Sequence, residues 1–483
     1  MGNLTVLATL GLAALAWGFA AQPATEYDVV IAGGRVVDPE SGFDGTRNVG
    51  ITAGRIAEIS ASTLRGRTTV DAHGLVVAPG FIDVHAHGQT AETYRFQSLD
   101  GVTTSLELEL GTADVNQWYA ERKAGQRINY GVSIGHIKVR MAVLRDPGPI
   151  MPVAAGAYQA ATPAEIQEIA RRIDDGLRDG AVSVGAGFPY TPGATRDELL
   201  AVFRVAARAS TPVHVHIRQG VDGLKEALAL ASDTGASLHV VHINSAGYEE
   251  TPEMLRLIAA ARQRGRDVTT EAYPYDAGMT QIESATVQDP YTHERAGKIG
   301  ELEWPLTGER LTAESFARYS KLGGPVVIHR NTEEMVALAL ASPLTMIGSD
   351  AYWLNGTGHP RTTGTYSRVL GRYVRETHTL TLADAIAKMT LMPARRLEAR
   401  IPAMKRKGRL SAGADADVTI FDAQRVLDRS TYRQPSLPPT GIEYVFVNGV
   451  AVVSRGQAVD EVTPGAAIRA TPSRAPAPAA PRR

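Results

Sequence analysis

From Pro79 to about Met404 the chain alternates short apolar runs with long amphipathic segments, and no other feature narrows its fold so far. Pro163 to Asp179, Arg196 to Ala209, Leu224 to Thr234 and Pro252 to Arg264 carry the helical apolar period. Between them lie β-branched or apolar runs such as Thr211 to His216 and Ser237 to His242. Repeated βα units of this length predict an α/β protein built as a (β/α)8 TIM barrel over residues 79–404, with its functional groups at the C-terminal ends of the strands.

The flanks have another texture. From Tyr27 to Val77 short β-rich runs are broken by Gly-Gly, Pro-Glu-Ser-Gly and Ala-Gly turns. The pattern returns after Lys407 in Ala416 to Phe421, Tyr444 to Val447 and Val450 to Val453, with Asn448-Gly449 as a two-residue hairpin turn. The two ends, 22–78 and 405–465, are expected to form one small β-sandwich domain. Residues 1–21 read as a signal peptide, an apolar stretch ending in Gly18-Phe19-Ala20, which implies a periplasmic or secreted protein. The first basic residue is Arg35, so an uncleaved membrane anchor is the alternative. The Pro-, Ala- and Arg-rich segment 466–483 is expected to be a disordered tail.

Lys plus Arg total 50 against 51 for Asp plus Glu, which removes the electrostatic case for nucleic acid or an anionic membrane surface. Cysteine is absent, so any metal is held by histidines and carboxylates and no thiol nucleophile exists. No Gly-x-Ser-x-Gly elbow is present for a serine hydrolase. A small-molecule substrate is the expected partner, and a homo-oligomer is compatible with the composition.

Pro79-Gly-Phe-Ile-Asp-Val-His85-Ala-His87 sends an apolar strand out of a turn and delivers two histidines at i and i+2. Side chains alternate across a strand, so both imidazoles face one way, as a chelate requires. His216, His242 and Asp350 end three further runs. In Ser105-Leu-Glu107-Leu-Glu109-Leu-Gly111 two glutamates alternate with leucines and share a side, and a carboxylate buried in a barrel needs a cation or a proton.

With these residues in place the chain resembles the amidohydrolase superfamily and, within it, the N-acyl-D-amino-acid deacylase (D-aminoacylase) group. The resemblance covers nearly the whole chain and rests on Ala78 to His87, Asp100-Gly-Val-Thr-Thr104, Gly135 to Arg140, Tyr190-Thr-Pro-Gly193, His216-Ile-Arg218, His242 to Gly247, Tyr273-Pro-Tyr275, Gly348-Ser-Asp350, His359-Pro-Arg361 and Gly413 to Val418. It implies one or two divalent ions held by His85, His87, His216, His242 and Asp350, with a bridging ligand on strand two. The family's cysteine there is missing. Glu109, nearer the strand end, is expected to take its place through a one-residue shift or bulge, with Glu107 one layer deeper as a support. Zinc suits such donors, with manganese, iron or cobalt as alternatives.

The resemblance further implies that Asp350 is both ligand and general base/acid, that Arg361 clamps the substrate α-carboxylate, and that Tyr190 and Tyr275 line the same pocket. Asn244 stands where the family has lysine, which removes one positive charge. His136 is a candidate supporting donor, His214 a decoy for His216, and His329 the end of an expected seventh strand, Pro325 to His329. His73, His239, His293 and His378 read as loop, helix or surface residues. The expected activity is metal-dependent hydrolysis of a linear amide C–N bond in an N-acyl amino acid or dipeptide-like compound. A cyclic-amide hydrolase of the dihydroorotase or hydantoinase kind is the alternative, and a catalytically dead barrel acting as a binding protein is the alternative of another class.

Overall fold

The computed structural model describes residues 26–472. The expected signal segment and the last eleven positions of the expected tail, 473–483, lie outside the described residues. Five strands open the fold: β1 (Glu26–Asp38), β2 (Phe43–Thr52), β3 (Arg55–Ser60), β4 (Arg65–Asp71) and β5 (Val76–Pro79). The pairing of β1 with β2 shifts register between Ile31 and Gly34. On its other side β1 runs parallel to β4 through Ala32 and parallel to β5 at Arg35 and Val36, so one bent strand serves two partners.

The barrel follows as β6 (Phe81–Asp83), β7 (Val102–Thr112), β8 (Asn129–Gly135), β9 (Val184–Gly187), β10 (Pro212–His216), β11 (Ser237–Val240) and β12 (Val268–Ala272). Before the last barrel strand the chain inserts β13 (Ala277–Gln281), β14 (Leu302–Trp304), β15 (Glu309–Arg310) and β16 (Pro325–His329). The eighth strand is β17 (Thr345–Ile347), followed by the short hairpin β18 (Trp353–Leu354) and β19 (Thr357–Gly358). Strands β6 to β12 and β17 pair in sequence order, all parallel, and a parallel bridge between Ala86 and Ala351 brings the last strand to the first. Val213, Val215, Leu238 and Val240 have no exposed surface, as expected of strands covered on both faces. Helices return the chain between strands. Pro163–Arg178 starts with a Thr162/Glu165 capping box and proline in its first turn, and Arg196–Arg208 is capped by Thr195.

The expected seventh strand is corrected. Pro325–His329 enters a four-stranded sheet in the order β13-β16-β14-β15, over a core of Ile282, Leu302, Trp304 and Val326, and β12 is barrel strand seven. An apolar β-branched run satisfies an antiparallel insert as well as a barrel, so its composition does not choose between them.

The chain end then supplies β20 (Val418–Phe421), β21 (Ile442–Val447), β22 (Val450–Ser454) and β23 (Gln457–Ala458). β20 pairs with β5, which joins both ends in one nine-stranded mixed sheet. Asn448 and Gly449 have φ of 48° and 80°, the left-handed pair that a two-residue hairpin turn needs. The tail expected to be disordered from residue 466 is packed at its start. Ile468 N–H donates to Tyr130 O at 2.7 Å, Ala470 N–H donates to Gly180 O at 3.1 Å, and both side chains are buried. Two apolar residues with backbone partners outweigh a composition poor in them. Among the described residues no helix is long and apolar enough to cross a membrane.

Candidate metal centre

His85 and His87 leave β6 together at the barrel mouth. Asp83 fixes their approach: Oδ1 accepts from His85 N–H at 3.1 Å and Ser349 N–H at 3.0 Å, tying the end of strand one to the loop after strand eight. Burial lifts the Asp83 carboxyl to about 6 despite these donors. His85 Nε2 lies 3.2 Å from His87 Nε2, 2.8 Å from Glu109 Oε2 and 3.5 Å from Asp350 Oδ1. His87 Nε2 is 3.3 Å from Glu109 and 3.2 Å from Asp350. The other oxygen of Glu109 meets His216 Nδ1 at 3.0 Å, and the His216 and His242 ring centres are 4.4 Å apart.

Donor atoms of His85, His87, Glu109 and Asp350 lie within 4.8 Å of one another, and so do those of Glu109, His216 and His242. Glu109 belongs to both sets, and its carboxylate stands between them as a ligand shared by two ions would.

A break in β7 puts it there. Between Glu107 and Thr112 the register with β8 shifts, and Glu107 Oε1 accepts the N–H groups of Leu110 at 3.1 Å and Gly111 at 3.4 Å inside the bulge. Gly111 has φ of 62°, and a Cβ there would come within 2.4 Å of Ser133 Oγ. His242 and Asp350 follow their strands with φ of 33° and 50°, a left-handed backbone that costs a non-glycine residue about 1–2 kcal/mol. That strain is held at two of the clustered residues.

Both histidines of the first strand have a carboxylate behind them. Glu107 Oε2 meets His87 Nδ1 at 2.7 Å, and Glu271 Oε1 meets His85 Nδ1. Such partners fix the tautomer, turning each Nε2 towards the centre. Glu271 on β12 was not among the sequence candidates. Neither was His239, which lies on β11 fully buried and bonds Glu271 Oε2 at 3.1 Å through Nε2, rather than in a loop, helix or surface position.

The cluster asks for positive charge. Glu107, Glu109, Glu271 and Asp350 are all buried, with one guanidinium, Arg361, against them. Burial opposes a charge on His85, yet Glu271, Asp350 and Glu109 outweigh it and raise its pKa well above the ordinary value; Glu107, Asp350 and Glu109 do the same to His87. Burial also works against ionised Asp350, but Arg361, His85, His87 and His242 hold it at about 2. His242 goes the other way: burial and His216 lower it to about 3, so its ring is neutral, with Nδ1 buried and unpartnered. The neutral ring of His242, the ionised carboxylate of Asp350 and the carboxylates that draw positive charge onto His85 and His87 fit a divalent cation such as zinc.

Above the cluster lies a cavity of about 580 Å3 whose wall includes His87, Glu109, His216, His242 and Asp350. Of the four expected substrate contacts, Tyr190 is on this wall, its hydroxyl 2.9 Å from Thr280 Oγ1. The other three sit behind it. Arg361 has no exposed surface and donates to Asp350 Oδ2 at 2.9 Å, with its guanidinium over the Tyr273 ring. Asn244 donates to Tyr273 O at 3.2 Å, and the Tyr275 hydroxyl to Pro360 O and Asp428 at 3.4 Å each. Asp350 Oδ2 and Met279 O engage Nη2 of Arg361, while its Nε and Nη1 are buried without a hydrogen-bond partner. Outside the cluster, His136 is spent on Glu198 at 2.7 Å, His329 on Glu303 at 3.1 Å, and His214 is buried beside His239 with both ring nitrogens unpartnered.

The model of the amidohydrolase family matches residues 68–130 and 140–453. N-acyl-D-glutamate deacylase of Alcaligenes xylosoxydans xylosoxydans is 32% identical, over 93% of this chain and 98% of that protein. The crystal structure of N-acyl-D-glutamate deacylase from Bordetella bronchiseptica, complexed with zinc and a phosphonate inhibitor that mimics the tetrahedral intermediate, superposes with a TM-score of 0.80 at 30% identity, covering 92% of this chain and all of that one. A D-aminoacylase structure with a binuclear metal centre gives a TM-score of 0.79 at 25% identity over the same shares. An eight-stranded parallel barrel, a carboxylate-rich histidine cluster at its mouth and likeness along the whole length agree, and the chain belongs to the amidohydrolase family.

Proposed function

We propose that this protein is a zinc-dependent deacylase that hydrolyses the linear amide bond of N-acyl-D-amino acids. The observation that carries the reading is the convergence of His85, His87, His216, His242 and Asp350 on Glu109. The D series and the acylated amino acid are supported by the names of the relatives.

His85, His87, Glu109, His216, His242 and Asp350 would hold zinc, which supplies a lowered water pKa and a polarised scissile carbonyl. Glu107 and Glu271 keep the His87 and His85 rings turned to the centre. Asp350 presents Oδ1 to the cluster and keeps Oδ2 on Arg361. Oδ1 takes the proton of the attacking water and passes it to the leaving nitrogen, without which an amide does not depart as an amine. Arg361 keeps Asp350 ionised and turned until that proton arrives. Tyr190, fixed by Thr280, bounds the space above His216.

The test is a hydrolysis screen of N-acyl-D- and N-acyl-L-amino acids, hydantoins and dihydroorotate, with metal content measured on the same sample. Turnover confined to the cyclic amides would replace this reading with the cyclic-amide one. Export to the periplasm or beyond is proposed from the apolar segment 1–21, and cell fractionation with N-terminal sequencing of the mature protein tests it.

A further inference from the structure

The deacylase reading leaves the side chain of the amino acid unassigned, and an acidic side chain needs a cation to receive it. Three guanidinium groups line the cavity, Arg218, Arg295 and Arg330, and each is answered by acid. Arg218 pairs with Glu226 at 2.5 Å, Arg295 pairs with Glu301, and Arg330 borders an outer depression together with Asp222, Glu249, Glu250 and Glu253. Asp289 and Glu294 add further negative charge to the lining. Among the described residues no lysine is on it.

Uncommitted donors meet at one spot. Nη1 of Arg361 and the Tyr273 hydroxyl are buried without a hydrogen-bond partner. A Cβ on Gly278 would come within 3.1 Å of that hydroxyl and 3.9 Å of that Nη1, so the glycine leaves a niche before both. The family resemblance gives Arg361 to the α-carboxylate, and a second carboxylate on the same substrate finds no free cation on the lining. The side chain of an amino acid branches one bond from its α-carboxylate, so it starts beside Gly278. There β13 and β16 set Gly278 opposite Ile328, and Met279, Tyr291 and Ile328 line the cavity. The far wall of Leu110, Ile150 and Met151 is uncharged as well, and Lys138 behind it is spent on Ile150 O at 2.5 Å.

We infer that the amino acid released by this protein carries an apolar side chain, and that Ile328 on the insert selects it against the acidic side chains of glutamate and aspartate. The inference rests on the deacylase reading for the reaction. A carboxylate brought against this wall gives up its water without gaining a donor, whereas a hydrocarbon side chain gains by leaving water. Ile328 is the residue placed to choose, because it lies across from the glycine beside which the side chain starts.

The experiment compares N-acetyl-D-norleucine, N-acetyl-D-glutamine and N-acetyl-D-glutamate, side chains of similar length that are apolar, polar and charged, by kcat/KM on the zinc-loaded full chain. Norleucine is expected to exceed glutamate by about 100-fold, with glutamine between them. A norleucine-to-glutamate ratio below about tenfold overturns the inference. Ile328→Arg, checked for folding by its melting curve and for zinc content, is expected to lower that ratio by about tenfold, and Ile328→Ala to lower kcat/KM for norleucine while leaving glutamate unchanged. A ratio that neither variant moves removes the selecting role from Ile328. Failure of the deacylase reading has a different signature: none of the three is hydrolysed. Calorimetric titration of the metal-free chain then still decides the side chain, since norleucine must bind about tenfold tighter than glutamate for the inference to stand.

Discussion

Replacing Glu271 by glutamine separates the charge behind His85 from the hydrogen bonds that hold its ring. Oε1 of Glu271 faces His85 Nδ1 and Oε2 faces His239 Nε2 at 3.1 Å, while His239 Nδ1 meets Thr269 Oγ1 at 2.8 Å. A glutamine in the same pose still accepts from His85 Nδ1–H and donates to His239 Nε2, so packing and hydrogen-bond count survive. What is lost is one buried negative charge, held ionised far below the usual carboxylate range because His85 and His239 together outweigh its burial. Mutating the carboxylate behind a ligating histidine costs about 10- to 100-fold in metal affinity, or about 1.4–2.8 kcal/mol.

The assay is zinc competition against a chelating indicator at pH 7. Glu271→Gln is expected to raise the zinc Kd within that range, and Glu271→Ala to raise it further and lower the Tm, since two imidazole nitrogens then lose their partner at about 1–3 kcal/mol each. In the metal-free protein the sign is also set. A carboxyl whose folded pKa is depressed contributes stability that is present above its unfolded value and lost as pH falls through the folded one. The Tm gap between wild type and Glu271→Gln should therefore narrow on acidification below about pH 4. Zinc affinity within threefold of wild type in Glu271→Gln would refute the idea that this carboxylate sustains His85 as a ligand.

Glu109→Ala is expected to cut the zinc bound per chain, whereas Glu107→Ala should lower the Tm as well as loosen zinc, because it abandons both His87 and the N–H groups of the bulge; metal content and melting curves on both variants decide this. Chelation should lower the Tm and zinc at about 100 times its Kd should restore about 2.7 kcal/mol; a Tm indifferent to zinc would count against a site completed by an ion. Asp100 is buried beneath the N–H groups of Tyr366 and Ser367, and burial outweighs them to lift its carboxyl to about 8. A raised acid keeps in the folded state a proton that the unfolded chain releases near pH 4, so its contribution falls as pH climbs from about 4 to 8. Asp100→Asn should gain Tm relative to wild type across that interval, and a difference independent of pH would sink the assignment.

The barrel is legible in the chain because its evidence is periodic: apolar strands, capped amphipathic helices and a glycine-marked hairpin repeat the same physics many times. His85 and His87 are legible because a period of two needs no tertiary knowledge, and Glu109 because alternation with leucine places a carboxylate where water does not reach. The same cost argument applies to Glu271 in Val268–Ala272, yet its neighbours Thr269 and Thr270 are polar, so nothing local marks it as buried. Its meaning comes from His85, 186 residues away, once strands one and seven have closed the barrel. Pro325–His329 shows the converse, a run with every strand credential that joins the insert.

Arg361 carries the lesson to the binding side. A motif fixes where a residue falls in the chain, while its depth relative to the cavity wall depends on what competes for it, and an ionised Asp350 at 2.9 Å competes harder than solvent does. Ligand atoms are thus set by local strand geometry and readable one strand at a time. Charge partners, for ligands and for substrate alike, are set by which strands become neighbours, and that information exists only in the closed fold.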